Sequence, residues 1–357
     1  MSPAGDDVRP ARRRGRRLAL GLLLAAGGVL LSEAALRLAG FEESYIQYAS
    51  ATRWNLRPGF RGRGPALPHV PLDYEVRVNS LGFRGKEFRT EKQPGVFRYV
   101  ALGDSVTFGF GVREEDLFSA RVAADLAAEA HPRRFEAVNA GVPGFSSLQG
   151  LRHLEARVLP LRPDLVSVFF GWNDGWRTSV PDADWIERLG GTRVVLESSR
   201  VYALFRRGAG FLRRRLLPDR PPEARPLVPR VPPEQYEANL LAIFQSIRRA
   251  GATPILLTAP ASFGPDRPPE AYFQEDWTVP RADLEPLRLR YAEAARRAAA
   301  AASVTVADCA RLVPADPALF YEDGYHPRAE GHRAIAEVVL RAVREAGSLR
   351  EPAPQGR

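Results

Sequence analysis

Short apolar runs alternate with longer segments of helical periodicity along most of this chain of 357 residues. The five apolar runs are Phe97–Gly103, Phe135–Ala140, Leu165–Gly171, Pro254–Ala259 and Val304–Asp308. The helical segments between and after them are Asp116–Ala130, Ser147–Val158, Pro233–Ala250, Ala282–Ala302 and Arg328–Ala346. Strands that are buried on both faces are apolar throughout, and parallel strands are joined by helices. The alternation therefore predicts an α/β domain with a parallel sheet of about five strands covered on both faces.

Polar side chains follow these runs at the points where parallel sheets place their chemistry, the carboxyl ends of the strands. The groups are Gly103-Asp104-Ser105, Asn139-Ala140-Gly141, Gly171-Trp172-Asn173-Asp174 and, before the last helix, Asp323-Gly324-Tyr325-His326. Nucleophilic acyl transfer needs a serine, an imidazole that takes its proton, a carboxylate that orients the imidazole, and donors for the oxyanion. The four groups supply this whole set at one predicted edge.

In this order the groups resemble the four sequence blocks of the SGNH (GDSL) hydrolase superfamily, over roughly residues 96–346. The resemblance implies a flavodoxin-like three-layer α/β/α sandwich. It also implies that Ser105 is the nucleophile, His326 the general base and Asp323 its partner. The implied oxyanion hole is formed by the backbone N–H groups of Ser105 and Gly141 with the side-chain amide of Asn173. No cofactor or metal is implied.

Each of these residues also has a purely structural interpretation. Ser105 is suited to cap the helix that follows strand one, Gly141 and Asn173 to form turns, and His326 to lie in a solvated loop. The spacing Asp323-x-x-His326 favours a paired histidine, because a carboxylate fixes the tautomer that leaves one ring nitrogen free for serine. We interpret Asp104 and Asp174 as residues that order their loops.

The N-terminal segment predicts membrane targeting. Six arginines and two aspartates lie in residues 1–17, and the uncharged run Leu18–Leu31 follows. Counted as 18–40, with Glu33 and Arg37 near the outer boundary, the segment makes one transmembrane span; Ser32-Glu33-Ala34 would otherwise be a signal-peptide cleavage site. We favour a retained anchor, with residues 1–17 as a basic cytoplasmic tail and the catalytic domain periplasmic or extracellular.

The net charge of +9 is concentrated in two places. Besides residues 1–17, the stretch 206–230 holds eight arginines against Asp219 and Glu223. The body of the protein is close to neutral, which argues against a nucleic-acid-binding face. The single cysteine, Cys309, excludes an internal disulfide and a thiolate metal cluster within this chain.

The predicted organisation has an N-terminal extension over 41–95 that packs on the core, a hydrolase domain over 96–346 and a disordered tail over 347–357. The hydrolase domain carries an insert over 175–232, too long for a plain connection. We consider three interpretations of the insert: a cap whose aromatic residues stack on sugar rings, an interfacial helix over 201–217 on anionic lipid, and a solvated helix with a Pro-rich loop. A second Pro-rich insert, Ser262–Pro280, is a candidate pocket wall.

Our leading functional hypothesis is an exported serine esterase that hydrolyses short-chain acyl esters, foremost O-acetyl groups, on a carbohydrate. The segment Asn79-Ser80-Leu81-Gly82-Phe83-Arg84-Gly85 resembles one found in a membrane-anchored bacterial branch of the superfamily, which includes enzymes that remove or add O-acetyl groups on exopolysaccharide and cell-wall sugars. Two alternatives remain: an O-acyltransferase that uses the same triad, and an idle envelope protein that binds a glycan or a partner. The expected partners are an acylated small molecule or glycan, and the membrane.

Overall fold

The computed structural model describes residues 9–41, 44–49, 51–64, 74–129, 133–188, 195–216, 227–262, 283–347 and 349. It forms two compact units, one from Met1–Ser44 with Gly190–Glu223 and one from Tyr45–Leu189 with Ala224–Arg357. Nearly all of the second predicted insert and of the predicted tail over 347–357 lies outside the described residues. So do the first eight residues of the predicted basic tail.

The elements of the described residues are as follows. The strands are β1 (Ile46–Ala49), β2 (Arg53–Leu56), β3 (Arg61–Arg63), β4 (Glu75–Arg77), β5 (Val96–Gly103), β6 (Arg134–Gly141), β7 (Leu165–Phe169), β8 (Arg177–Thr178), β9 (Val228–Pro229), β10 (Thr253–Leu257) and β11 (Thr305–Ala307). The helices are α1 (Arg9–Leu38), α2 (Ser105–Phe108), α3 (Phe118–Ala128), α4 (Ser147–His153), α5 (Trp172–Gly175), α6 (Asp182–Glu187), α7 (Arg200–Leu216), α8 (Pro233–Arg249), α9 (Leu284–Ala301), α10 (Cys309–Leu312) and α11 (Ala329–Glu345).

The centre of the larger unit is a five-stranded sheet in the order β11-β10-β7-β5-β6, and every neighbouring pair is parallel. Numbered along the chain, this is the flavodoxin-like order 2-1-3-4-5. The predicted α/β/α sandwich is thereby confirmed. Because the strand order reverses between β5 and β7, the loops after these two strands border the crevice in which such folds hold their ligands.

Successive side chains of the sheet enter different cores, which explains why its strands are apolar throughout. On β5, Val100 and Leu102 join one buried cluster, whereas Tyr99 and Ala101 join another. The first cluster contains Leu240 and neighbouring residues of α8, with further residues of α9; the second contains residues of α3 and α11. Burial on both faces leaves no polar side of the sheet, as expected for parallel strands.

The residues before β5 form two antiparallel pairs, β1 with β2 and β3 with β4. Their buried side chains, among them Leu56, Val76 and Phe83, belong to the same cluster as Val100. Arg84 makes an isolated bridge with Asn139 at the end of β6. The extension therefore reaches the strand ends that carry the predicted site.

The insert over 175–232 contains more regular structure than a loop. Its two ends pair as β8 and β9, and α6 and α7 come between these strands in the chain. Helix α7 covers Arg200–Leu216, close to the predicted 201–217, and it belongs to the same compact unit as α1. Among the described residues, the stretch Arg16–Leu38 of α1 is long and apolar enough to cross a membrane.

Candidate active site

The position of the loop that carries Ser105 depends on two glycines, because the backbone folds tightly onto neighbouring strands. A Cβ on Gly103 would lie 2.1 Å from Thr107 Oγ1 and 2.7 Å from the carbonyl oxygen of Phe169. A Cβ on Gly141 would lie 2.2 Å from the backbone nitrogen of Phe108. Any side chain at these positions would push α2 away from the sheet. The glycines therefore fix where Ser105, the first residue of α2, stands.

The cap of α2 is Asp104 and not Ser105. The Asp104 side chain accepts a hydrogen bond from the backbone nitrogen of Val106 at 2.9 Å. This leaves the Ser105 hydroxyl available for other contacts. Its backbone N–H lies in the first turn, where helical N–H groups have no partner within the helix.

The structure brings Ser105, His326 and Asp323 into one hydrogen-bonded chain. Ser105 Oγ lies 2.8 Å from His326 Nε2, and His326 Nδ1 lies 2.6 Å from Asp323 Oδ2. All three residues are at most 9% exposed. A carboxylate at this distance from Nδ1 places the ring proton there, so Nε2 is the acceptor for the serine hydroxyl.

The turn that carries the histidine is held by its own residues. Asp323 Oδ1 accepts hydrogen bonds from the backbone nitrogens of Tyr325 at 3.1 Å and His326 at 3.0 Å. The carbonyl oxygen of His326 accepts from the nitrogen of Tyr321 at 2.9 Å. The two oxygens of one carboxylate thus orient both the backbone and the ring of His326.

Two of the three predicted oxyanion donors already have partners within the protein. The Gly141 N–H donates to Asn139 Oδ1 at 3.0 Å. The amide nitrogen of Asn173 donates to Asp104 Oδ2 at 3.2 Å and to the carbonyl oxygen of Phe145 at 3.1 Å. These bonds hold both donors at the same strand ends as Ser105. An oxyanion is a stronger acceptor than a neutral carbonyl and would compete for them.

Asp104 is fully buried, and burial raises its pKa to about 7, against lowering contributions from the Val106 N–H and His326. Its partner Asn173 belongs to the block after β7. Asp104 therefore links the loop that carries Ser105 to Asn173, the residue predicted to stabilise the oxyanion. Sequence reasoning assigned Asp104 to loop ordering but did not find this link.

Asp174 is also fully buried, and burial raises its pKa to about 6. Its Oδ1 accepts from both the backbone nitrogen and the hydroxyl of Ser147, at 2.9 and 2.6 Å. The Asn239 amide in turn donates to the Ser147 hydroxyl at 2.9 Å. Asp174 thus ties the third block to the N-terminus of α4, in agreement with its interpretation as a loop-ordering residue.

Arg84 is a site residue that the sequence analysis missed. Its buried guanidinium lies against the loop that carries Ser105 and donates to the carbonyl oxygens of Phe108, Gly109 and Val112. Burial lowers its pKa to about 10. The available signal was its place in the segment Asn79–Gly85, but only the tertiary structure shows which loop this segment contacts.

Aromatic rings surround the histidine. Phe110 stacks on the His326 ring with centroids 5.1 Å apart, and the Tyr325 ring lies at 4.1 Å. The Trp172 ring contacts Tyr325 at 5.2 Å. Trp172 also borders a small apolar pocket between the ends of β7 and β10 and helix α9.

The remaining buried histidines do not belong to this site. Burial lowers the pKa values of His153 and His332 to about 3, which keeps both rings neutral. His332 Nδ1 accepts from the backbone nitrogen of Phe118, and His153 Nδ1 lies 3.1 Å from the amide nitrogen of Asn55.

Comparison with known proteins places this geometry in a family. A family model described as "GDSL-like Lipase/Acylhydrolase family" matches residues 101–334, which is more than half of the chain. The chain belongs to the GDSL-like lipase/acylhydrolase family. It is a serine hydrolase that acts on esters, and the predicted superfamily and enzyme class are confirmed. A search of curated proteins found no match.

Several solved structures are similar to the chain. TesA is 19% identical, with 70% of this chain and 99% of TesA covered and a TM-score of 0.45. A lipase/acylhydrolase from Enterococcus faecalis is 21% identical, covering 72% of this chain and 100% of its own, with a TM-score of 0.45. Axe2, an acetylxylan esterase from Geobacillus stearothermophilus, is 18% identical, covering 69% and 94%, with a TM-score of 0.44.

Proposed function

We propose that this protein hydrolyses short-chain acyl esters, foremost O-acetyl groups on a carbohydrate, through Ser105, His326 and Asp323. The observation that carries the proposal is the continuous chain from Ser105 Oγ through the imidazole to the Asp323 carboxylate, with contacts of 2.8 and 2.6 Å. The serine, its base and the orienting carboxylate already stand within hydrogen-bonding distance, the arrangement that an activated nucleophile requires.

The reaction follows from these contacts. His326 Nε2 accepts the Ser105 hydroxyl proton as Oγ bonds to the ester carbonyl carbon. The imidazolium then donates that proton to the alkoxy oxygen of the ester. The bond from this oxygen to the carbonyl carbon breaks, the sugar leaves with its hydroxyl group, and the acyl group stays on Ser105. In the second half, His326 Nε2 takes a proton from water as the water oxygen bonds to the acyl carbon. The bond between that carbon and Ser105 Oγ then breaks, acetate leaves, and Nε2 gives the proton to Ser105 Oγ. Asp323 holds the Nδ1 proton throughout.

The negative oxygen that forms in each addition step needs donors aimed at it. In our proposal these are the N–H groups of Ser105 and Gly141 with the Asn173 amide. The oxyanion would draw Gly141 away from Asn139 Oδ1, and Asn173 away from the Phe145 carbonyl. Asn173 would keep its bond to Asp104, which fixes the plane of the amide. Donors that are already positioned require little rearrangement during the reaction.

The carbohydrate substrate and the location of the enzyme rest on the sequence. The arginine-rich N-terminus followed by a helix that could span a membrane supports a retained anchor with an exported catalytic domain. An exported catalytic domain fits an acylated surface polysaccharide as substrate, and the Asn79–Gly85 segment resembles one in enzymes that act on such sugars. Transfer of the acyl group to a second sugar hydroxyl, in place of water, uses the same intermediate.

The test uses the full chain in detergent, because residues 190–223 form one compact unit with residues 1–44. The protein is incubated with p-nitrophenyl esters from C2 to C8 and with an acetylated oligosaccharide, alongside Ser105→Ala. We expect Ser105-dependent acetate release, fastest for the C2 ester. A preference for C6–C8 esters would point instead to an acyl chain in the pocket beside Trp172 and would contradict the acetyl assignment.

Two further outcomes would change the conclusion. Acetyl groups found by mass spectrometry on an added unacetylated acceptor would favour the O-acyltransferase. Neither release nor transfer, together with no Ser105-dependent labelling by a fluorophosphonate, would contradict the mechanism and favour a protein that only binds glycan or a partner.

A further inference from the structure

Helix α7 has an exposed apolar face that nothing in the described part of its compact unit covers. At 3.6 residues per turn, Val201, Leu204, Phe205, Leu212 and Leu216 fall within an arc of about 120°. The exposed fractions are 48% for Leu204, 71% for Phe205, 54% for Leu212 and 70% for Leu216. So much exposed apolar surface on one helix indicates an apolar partner.

Arginines mark the other side of the same helix. Arg206 and Arg207 lie roughly opposite the centre of the apolar arc, whereas Arg215, near the end of the helix, falls within the arc; all three are exposed. Arg206 contacts Glu197 at 3.0 Å, and the Arg207 guanidinium lies over the ring of Phe41 at 5.4 Å. A helix with an apolar face and a basic face is suited to the boundary between lipid acyl chains and anionic headgroups.

The N-terminus of α7 is tied to α1 by a single carboxylate. Glu33 accepts hydrogen bonds from the hydroxyl of Ser199 at 2.9 Å and from the backbone nitrogens of Arg200 and Val201 at 3.1 and 3.0 Å. Arg37, which pairs with Glu33, donates to the carbonyl oxygen of Ser198 at 3.2 Å. Glu33 therefore caps a helix about 165 positions away in the chain, as an N-cap side chain normally does for its own helix.

The hydrogen bonds to Glu33 place the start of α7 near one end of the apolar span of α1. The span Arg16–Leu38 has 23 residues, and its most apolar stretch is not buried against the rest of the protein. A helix of that length is about 35 Å long, slightly more than a hydrocarbon core of about 30 Å. Glu33 and Arg37 lie in its last turns, where charged groups reach the interface.

We propose that α7 is an interfacial helix on the outer surface of the membrane that α1 crosses. Its apolar face enters the acyl-chain boundary, and its arginines contact anionic phospholipid headgroups. The partner is an anionic lipid surface, because α7 begins beside Glu33 and Arg37 in the last turns of the apolar span and carries basic side chains opposite its apolar face. The protein would then contact the membrane through two helices, α1 and α7. Cleavage after Ala34 would remove the Glu33 cap, so the proposal also requires a retained anchor.

The test places a bimane label on α7 in full-length protein reconstituted into vesicles of phosphatidylglycerol and phosphatidylcholine. Cys309 is buried and is replaced by serine. The labelled variants are Phe205→Cys and Leu212→Cys on the apolar face, with Arg206→Cys as the matched control on the basic face. Brominated lipid and aqueous iodide serve as opposing quenchers.

We expect brominated lipid to quench the labels at positions 205 and 212 at least about threefold more strongly than the label at 206, with iodide showing the reverse order. Equal quenching at all three positions would overturn the proposal. Protection from both quenchers that grows with the protein-to-lipid ratio would overturn it in favour of a second copy of the chain. Unchanged quenching in vesicles of phosphatidylcholine alone would overturn the assignment to anionic headgroups.

A second variant tests the tie to α1. Glu33→Ala removes the cap and is expected to weaken lipid quenching at position 212, whereas Glu33→Gln, which keeps one acceptor oxygen, retains more of it. Melting profiles of the catalytic unit identify any variant that has failed to fold. Equal quenching in Glu33→Ala and in the parent protein would show that the cap does not position α7.

Discussion

The loop that carries Ser105 and the loop that carries His326 meet at one sheet edge but are held by different means. His326 is oriented by Asp323, three residues away, whose second oxygen also binds the backbone of the same turn. The Ser105 loop depends on distant residues: Arg84 binds its carbonyls, Asn139 donates to the carbonyl oxygen of Thr107, and Asn173 donates to Asp104. The His326 side chain and its turn are therefore oriented mainly by a local carboxylate, although the Ser262 N–H also donates to the carbonyl oxygen of Gly324, whereas the serine loop is held mainly by distant residues.

This difference separates two ways of losing activity. A substitution of Asp323 or His326 should change chemistry with little effect on distant segments, because the hydrogen bonds of Asp323 lie within its own turn. A substitution among the supports of the serine loop should alter stability and activity together. Five predictions test that distinction, beginning with the largest expected effect.

His326→Ala is expected to lower kcat/KM for p-nitrophenyl acetate by about 10⁴-fold or more, because no other group takes the Ser105 proton. The melting temperature should stay close to that of the parent protein. Rates are measured on full-length protein, with Ser105→Ala as the reference for complete loss. A His326→Ala protein that retains more than a tenth of the parent rate would contradict the role of His326.

Asp323→Asn is expected to lower kcat by about 10³–10⁴-fold, because an amide at this position favours the tautomer with its proton on Nε2. Asp316→Asn is the matched control: Asp316 also holds a local turn, accepting from the nitrogen of Ala318 at 2.9 Å, but has no histidine partner. If both variants lost activity equally, the carboxylate would be acting only on the backbone.

Asn173→Ala is expected to lower kcat by about 10²–10³-fold, the usual effect of removing one oxyanion donor. Asn239→Ala is the control, since Asn239 is also buried and hydrogen-bonded but contacts the hydroxyl of Ser147 instead of the site. A fall in kcat for Asn239→Ala as large as that for Asn173→Ala would indicate a packing effect and would weaken the oxyanion assignment.

Arg84→Ala is expected to lower kcat by about 10–100-fold and to lower the melting temperature, because three carbonyl oxygens lose the guanidinium as a donor and the serine loop shifts. Added guanidinium, at concentrations below those that denature, should restore part of kcat. Arg248→Ala is the control: Arg248 also binds two carbonyl oxygens, those of Ala302 and Ser303, but on an exposed surface. A lower melting temperature with unchanged kcat would make Arg84 a stabilising residue only.

The smallest expected effect concerns pH. Burial raises the Asp104 pKa from 3.8 to about 7, so between these values the folded state keeps a proton that the unfolded state releases. Stability therefore falls as pH rises through this window, by at most about 1.4 kcal/mol per pH unit, and is constant above it. The fall in melting temperature from pH 5 to pH 8 should be smaller in Asp104→Asn than in the parent protein.

Asp174→Asn sharpens this last test. Burial raises the Asp174 pKa only to about 6, so this variant should reduce the pH dependence below about pH 6 and leave the rest unchanged. An Asp104→Asn protein with the full pH dependence of the parent would show that Asp104 is ionised in the folded state throughout.

Much of the fold could be predicted because the signals are local. The apolar runs place the five strands of the central sheet within about two residues of their observed ends, and α8, whose Pro233 and Gly251 mark its limits, is equally close. Helix α4 ends at His153, and a π-helical segment, Leu154–Val158, completes the helix predicted to run to Val158. That irregularity depends on packing and leaves no local signal.

The sequence by itself determined the parallel sheet, the strand ends that carry Ser105 and Asn173, and the pairing of Asp323 with His326 before the last helix. Apolar runs, strand ends and a spacing of three residues are all properties of neighbouring positions. Only the tertiary structure decided that Arg84 binds the loop that carries Ser105 and that Glu33 caps α7. These contacts join segments far apart in the chain, and their partners are mostly backbone groups, which every residue carries and no sequence pattern marks.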